Sequence, residues 1–564
     1  MHRPTVRAAM AMAAALAMAL TACGSDKAAS TTTAVVGGAS TTAAPVTGGG
    51  TLVFGTSADP ISMDGAYVSD GESLRVIDQL FETLVTTKRG GTDPEPSLAK
   101  TWKASADGLA WTFDLQTGVK FHDGTAFNAK AVCTNFERWY NFKGVQQSPS
   151  VSYYWSTVFG GFKTQDDPEV PKESLYKSCT APNDATAVIN LTKPSSSFIA
   201  GLAVPAFSIA SPAALVKYEA DKVSGTGEKP SFDGTFGTKN PVGTGAFKLE
   251  SFTPNDRLVL VRNNDYWGEK AKLEKVIFRA IADGPARRQA LEAGDIQGYD
   301  FVDPGDIDSL KGAGFQILER PAFNVGYVGF NQSKPPLDNP KIRQAVAHAL
   351  NREALVKAKY PPGAEVATQF QPPQLFGYAD DVAKYEYNPD KAKQLIAESG
   401  VTAPTLEFWY PTNVSRPYMP EPEANFQAFK ADLEKVGFKI TVKSAPWRPD
   451  YGQTVNSGNA QMYLLGWTGD FGDPDNFVGT FFQAKQPAWG LDDKAIFDKL
   501  NAAEVETDLT KRTALYKEAN KLIMTQLPGV PYAHTKPALA FAKNVKGYVP
   551  SPVSLEPFSI VSLG

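Results

Sequence analysis

Along the chain, short apolar runs closed by glycine, proline or polar turns alternate with longer stretches whose apolar positions recur every three or four residues. The first pattern predicts buried strands, the second amphipathic helices. Residues 51–55 predict a first strand, and 73–84 a helix with Leu74, Ile77, Leu80, Phe81 and Leu84 on one face. Asp107-Gly108 is a hairpin-turn dipeptide between the strand-like stretches 102–103 and 111–115. A helix is expected over 128–139, and strands over 187–191, 247–250, 258–262, 275–280 and 324–331. Asn339-Pro340 then opens a helix. The asparagine caps it, and proline suits the first helical position because its missing N–H needs no intrahelical partner. Asn388-Pro389 repeats that start, and Gly400 suits the helix end. Strand 405–410, helix 423–436 and strand 438–442 make a β-α-β unit, whose strands should run parallel with a right-handed crossover.

Candidate chemistry concentrates after another short apolar run, 462–465. It leads into Gly466-Trp467-Thr468-Gly469-Asp470-Phe471-Gly472-Asp473-Pro474-Asp475-Asn476. A carboxylate beside a tryptophan at the end of a buried strand needs a cation, and no lysine or arginine lies near Asp470 in sequence. A ligand can supply one; equally, Asp470 can cap a turn or the next helix. The three acids also raise calcium, but the alternating oxygens and turn glycine of an EF-hand loop are missing. Arg416 lies in the loop after strand 405–410, and Asp470 in the loop after a later strand. In open α/β sheets ligands bind outside the carboxyl ends of strands, so both charges are expected to face one cleft. The residues alone leave Arg416 open between that role, a solvated loop arginine, and a partner of Glu421 or Glu423.

The ends and the composition narrow the picture. His2, Arg3 and Arg7 precede an apolar stretch, 8–20, too short to span a bilayer as a stable helix. Leu20-Thr21-Ala22-Cys23 then resembles a bacterial lipobox, which makes 1–22 a lipoprotein signal peptide and Cys23 the lipidated residue. A plain secretory signal with an incidental cysteine is the alternative. Residues 23–50 are rich in Ser, Thr, Ala and Gly and should form a flexible tether. Beyond them, a hydrophobic fraction of 42% is ordinary for a globular chain. The net charge of −4, with no basic cluster, argues against nucleic acid as a partner. Two cysteines remain in the exported body, Cys133 and Cys179, and are expected to pair, tying a helix to a hairpin. Outside the signal only His122, His348 and His534 remain, so neither a metal site nor a cofactor is expected. His122 beside Asp123 has no nucleophile motif with it and reads as part of a turn. His348 falls within a helix, where packing or exposure is its expected role. Gly-x-Ser-x-Gly, His-Glu-x-x-His and Walker A motifs are absent, and no catalytic residue is assigned. Gly243-Thr244-Gly245 lacks the third glycine of a dinucleotide fingerprint.

Four stretches together resemble a known family. They are residues 96–102 (Pro-Ser-Leu-Ala-Lys-Thr-Trp), 118–125 (Gly-Val-Lys-Phe-His-Asp-Gly-Thr), 240–247 (Asn-Pro-Val-Gly-Thr-Gly-Ala-Phe) and the Trp467-Thr468-Gly469-Asp470 loop. The resemblance is to the extracytoplasmic solute-binding proteins of peptide/nickel-class ABC importers, and within them to the dipeptide receptors. It runs from about residue 52 to the end. It implies an α/β, two-lobed periplasmic-binding-protein-like fold of type II (cluster C), with an extra subdomain in the first lobe. On that basis residues 51–281 and 533–564 are assigned to lobe I, about 90–230 to the extra subdomain, and 282–532 to lobe II. The resemblance also implies that Asp470 binds a peptide's amino terminus and Arg416, in Arg416-Pro417-Tyr418, its carboxylate, with Trp467, Thr468 and Gly469 beside them. Phe471 departs from an asparagine seen in the family, which leaves neighbouring contacts open. The implied protein is a monomeric receptor held by its lipid at the outer face of the cell membrane. It would deliver dipeptides or short peptides to a permease driven by an ATPase.

Within binding, the alternatives are longer oligopeptides, a nickel chelate, heme or glutathione. Outside it, they are a peptide hydrolase, or a sensor or adhesin that keeps the fold without transport.

Overall fold

A computed structural model describes residues 49–564 apart from 169, 228 and 554. The expectations for the signal peptide, for Cys23 and for nearly all of the tether fall on residues outside these. Among the described residues no helix is long and apolar enough to cross a membrane.

Two large sheets organise the body. The first has seven strands in the order Phe247–Thr253, Arg257–Arg262, Lys275–Ala280, Thr51–Thr56, Gly298–Tyr299, Ala538–Phe541, Gln316–Glu319. Thr51–Thr56 runs parallel to both of its neighbours. Leu52 and Phe54 point their side chains into a fully buried core, where Phe54 packs on Phe278, Phe541 and Phe558. The second sheet has five strands in the order Lys439–Pro446, Thr405–Thr412, Met462–Thr468, Asn324–Phe330, Gly529–Ala533. Every residue of Asn324–Phe330 is buried, as suits an interior strand.

Local signals explain many of the elements. Asn128, Asn339 and Asn388 each accept a backbone N–H of the helix that follows, and the last two precede a proline at the first helical position. The β-α-β unit forms as expected, with Thr405–Thr412 parallel to Lys439–Pro446 and the helix Pro422–Lys435 between them. That helix ends where Gly437 takes a φ of 109°, a conformation that costs a residue without Cβ little.

A separate four-stranded sheet, Ala99–Ala104, Ala110–Leu115, Thr186–Leu191, Tyr176–Asn183, stands apart from both large sheets. Cys133 on the helix Ala129–Tyr140 is disulfide-bonded to Cys179 on the strand Tyr176–Asn183, a helix-to-hairpin tie.

The strands Gly298–Tyr299 and Gln316–Glu319 lie in the first sheet, although 282–532 is the stretch the sequence assigns to the second lobe. Gly529–Ala533 likewise pairs within the second sheet, so the chain has not yet crossed at 533. Taking the sheets as the lobe cores puts the crossings at about 320–323 and 534–537. They run side by side: the Arg320 amide donates to the Pro537 carbonyl (2.9 Å), and the Thr535 amide to Asn324 Oδ1 (2.9 Å). The apparent early crossing arises because helix Gly284–Ala293 and strand 298–299 return the chain to the edge of Thr51–Thr56, a long-range pairing with no local signature.

The disulfide closes a loop of 46 residues. Replacing both cysteines with serine should lower unfolding free energy by about 4 kcal/mol on the chain-entropy argument. Denaturant unfolding of the variant against the oxidised protein measures it.

Candidate functional site

The site forms where two parallel neighbours in the second sheet end together. Phe408 pairs with Met462 and Trp409 with Tyr463, so Thr405–Thr412 and Met462–Thr468 run out at the same edge. The loop holding Arg416 follows the first and the loop holding Asp470 the second. This is the topological setting in which open α/β sheets bind ligands.

The Asp470 loop is tightly held. A Cβ added to Gly469 would lie 2.1 Å from Cε1 of Phe323, so only glycine lets the chain pass that ring. The Gly469 amide donates to the Phe323 carbonyl (2.9 Å). Thr468 pairs with Asn324 in the ladder. Trp467 packs against Phe481, with ring centroids 5.9 Å apart, and faces Tyr153 at 6.5 Å. Its indole Nε1 donates to Asn476 Oδ1 (3.3 Å).

Asn476 organises the carboxylate. Its Oδ1 accepts the Asp470 amide (2.7 Å), and its Nδ2 donates to Asp470 Oδ2 (3.2 Å). The other oxygen, Oδ1, accepts the hydroxyl of Tyr154 (2.9 Å). Tyr154, on the helix Tyr153–Phe159, packs in the core cluster of the first sheet, so Asp470 at the end of a second-sheet strand is contacted from both lobes. All these donors are neutral, and among the described residues no cation pairs with Asp470. Burial pushes its carboxyl up to about 6, and the hydrogen bonds from Tyr154 and Asn476 hold it from rising further. A carboxylate has room for more donors than these two, so a ligand ammonium can join them.

The other two acids of the loop are engaged differently. Both oxygens of Asp473 are taken by the buried guanidinium of Arg512 (2.5 and 2.8 Å). Burial, followed by the charges of Asp473 and Glu504, pushes Asp475 up to about 7. Among the described residues no group of three or more His, Cys, Asp or Glu is placed to hold a metal ion.

Arg416 sits on a turn closed by two backbone hydrogen bonds with Met419 (3.1 and 2.9 Å). Its guanidinium lies over the Trp447 ring, 4.6 Å from the centroid, and its Nε is buried without a hydrogen-bond partner among the described residues. Glu421 pairs with Lys359 (3.3 Å), not with Arg416. The arginine thus rests on an aromatic shelf with its donor fork uncommitted to any carboxylate among the described residues, an arrangement suited to an incoming carboxylate.

Tyr154 and Trp447 carried no motif. Tyr154 lies more than three hundred residues before Asp470, and only the folding of the chain joins them. The histidines have structural partners: His122 Nε2 meets the Gly245 carbonyl (3.0 Å), and His348 Nδ1 the Glu386 carbonyl (2.7 Å). A cavity of about 290 Å³ lies elsewhere, lined by first-lobe residues such as Asp78, Glu82, Tyr266 and Trp267. It touches neither Asp470 nor Arg416.

Two lobes, two adjacent crossings and a charged sheet edge facing the opposite lobe define a periplasmic-binding-type receptor fold. Over residues 93–489 the chain matches the bacterial extracellular solute-binding proteins, family 5 middle region. It belongs to that family. It is 32% identical to the dipeptide-binding protein of Escherichia coli over 527 residues, covering 91% of this chain and 94% of the relative. It is also 32% identical to heme-binding protein A of Haemophilus influenzae over 530 residues, covering 91% and 92%. Among solved structures, the ABC transporter-associated periplasmic binding protein DppA from Helicobacter pylori, in complex with the peptide STSA, is similar with a TM-score of 0.76. The two share 29% identity, over 92% of this chain and 99% of that one.

Removing the Tyr154 hydroxyl removes a bond that favours ionised Asp470. Tyr154→Phe should therefore raise the Asp470 carboxyl above its value of about 6. A carbon-detected NMR titration of the aspartate carboxyl groups reads this, and an unchanged or lowered value contradicts it.

Proposed function

We propose that this protein is the extracytoplasmic receptor of an ABC importer for dipeptides and short peptides. The observation that carries the reading is Asp470: a heavily desolvated carboxylate, held by neutral donors, at the same sheet edge as the uncommitted guanidinium of Arg416. A dipeptide zwitterion spans about 7 Å between its charged ends. In this reading Asp470 takes the ammonium and Arg416 grips the carboxylate through its bidentate fork. Trp467, Thr468 and Gly469 form the wall between and beside them.

Fixed charges at both ends select for free termini. A blocked or displaced terminus leaves one desolvated charge unpaired, which costs several kcal/mol. Ligand side chains are free to vary where their pockets hold water. The lobes close over the ligand by hinge motion at the two crossings. The closed form then passes the ligand to a permease powered by an ATPase. Cys23 anchors the receptor by lipid to the outer face of the membrane, and it acts as a monomer without cofactor, metal or catalysis.

A second reading, a longer peptide, draws support from the tetrapeptide STSA bound to the Helicobacter relative. The kinship to a heme-binding protein keeps heme as a further class.

Calorimetric titration of the purified protein with a dipeptide, its amidated form, a tripeptide and heme separates these. The expected result is tight binding of the free dipeptide, weakened at least about a hundredfold by Asp470→Asn and by Arg416→Ala. Equal affinity for the tripeptide, or indifference to both substitutions, overturns the two-anchor reading in favour of longer ligands. The free dipeptide should also weaken about tenfold per pH unit below pH 6. Protonation of a carboxyl raised to about 6 removes the charge that holds the ammonium, and binding is fully supported only above that value.

A further inference from the structure

Besides the Tyr154–Asp470 bond, two contacts join the lobes, one beside Asp470 in the chain and one at the end of a helix remote in sequence from both anchors. The first is Phe471. It follows Asp470 directly and belongs by chain to the second lobe. Yet it is buried, and it packs in the hydrophobic cluster of the first lobe with residues of the 49–281 segment, not with the core of its own lobe. Beside it the loop passes close to the first lobe again: a Cβ on Gly472 would fall 2.5 Å from Thr92.

The second contact is at the end of the helix Lys494–Val505, whose Ile496, Leu500 and Ala503 are buried in the second lobe. The last carbonyls of a helix lack intrahelical donors. Here the Ala502 carbonyl accepts the Glu506 amide (3.2 Å), and the Ala503 carbonyl accepts Arg512 Nε (2.9 Å), both from the second lobe. The Glu504 carbonyl is served from the first lobe. It accepts both the amide and the hydroxyl of Ser196, each at 2.9 Å. The same hydroxyl lies 2.5 Å from the Glu506 carbonyl, and Lys193 Nζ meets the Glu504 carboxylate at 2.9 Å. Ser196 thus caps a helix that belongs to the other lobe, and separating the lobes removes that cap.

We infer that Phe471 and the Lys193–Ser196 segment are positioning residues that set ligand affinity through closure. They hold the closed form by contacts the protein makes with itself, without touching the ligand. The inference rests on the peptide-receptor reading for its ligand but not for its closure. Apparent affinity scales with the fraction of protein in the binding-competent form, so weakening either contact lowers affinity for every ligand by one common factor. That signature differs from loss of an anchor, which penalises free and blocked peptides unequally.

The test uses two variants at separate places, Phe471→Ala and the pair Ser196→Ala with Lys193→Met. Dipeptide and N-acetylated dipeptide, which lacks the ammonium assigned to Asp470, are titrated against each, and small-angle scattering is recorded without ligand. Exposing a buried phenylalanine on opening supports a loss of up to about thirtyfold for Phe471→Ala. Losing the side-chain cap and an exposed ion pair supports about fivefold for the pair. In both variants the ratio between the two ligands stays unchanged and the ligand-free radius of gyration rises. Unchanged affinity and radius in both variants overturns the inference. So does a loss confined to the free dipeptide, which assigns these residues to the anchors. Should neither ligand bind even the parent protein, the peptide reading fails, and the scattering still decides closure: a larger radius in the variants supports it, and an unchanged radius sinks it.

Discussion

A buried carboxylate with no cation beside it among the described residues is the constraint on which this site depends. Asp470 meets it with neutral donors alone, Tyr154 and Asn476. Such donors reduce the cost of desolvation without cancelling the charge, which leaves the group raised to about 6 and receptive to a ligand cation. The neighbouring Asp473 shows the alternative outcome, since Arg512 saturates it and it is spent on holding the loop. Two acids three residues apart thereby differ: Asp473 is paired within the protein, and Asp470 has no cation partner among the described residues.

Charge is used in the opposite way where the chain leaves the first lobe. Arg75, Asp300, Arg320 and Glu556 come from four distant segments and are all buried. Asp300 takes Arg75 (2.6 Å) and Arg320 (2.5 Å), and Glu556 takes Arg320 through both oxygens (2.8 and 2.6 Å). Burial alone would raise the Asp300 carboxyl, but Arg320 and Arg75 outweigh it and pull it down to about 2. The stability this adds is present above the ordinary carboxylate range and fades as pH falls from about 4 through 2. Arg320 begins the first crossing, so the network ties the base of the hinge to the first lobe.

Legibility in the sequence followed the range of the interaction. Asn339-Pro340, Asn388-Pro389 and Gly437 act within one helical turn, and each marks a helix end in the structure. The parallel pair around helix Pro422–Lys435 was readable because chain handedness constrains it. The setting of Arg416 and Asp470 at one sheet edge came from the same logic of strand ends. The lobe boundary was not readable, because Gly298–Tyr299 and Gln316–Glu319 choose their sheet by long-range pairing. Tyr154 and Trp447 were equally silent, since an aromatic residue in a helix or loop reads as core until the fold sets it against a charge.

The central claim is that Asp470 meets the ligand's ammonium, and proton linkage tests it most directly. Dipeptide binding at pH 6 is measured by calorimetry in buffers of different ionisation enthalpy. With a carboxyl near 6 in the free protein, about half of the molecules are protonated there, and an arriving ammonium drives that proton off. The account predicts release of about half a proton per dipeptide bound, absent in Asp470→Asn. Binding with no proton released at pH 6, or release that persists in the variant, would contradict it.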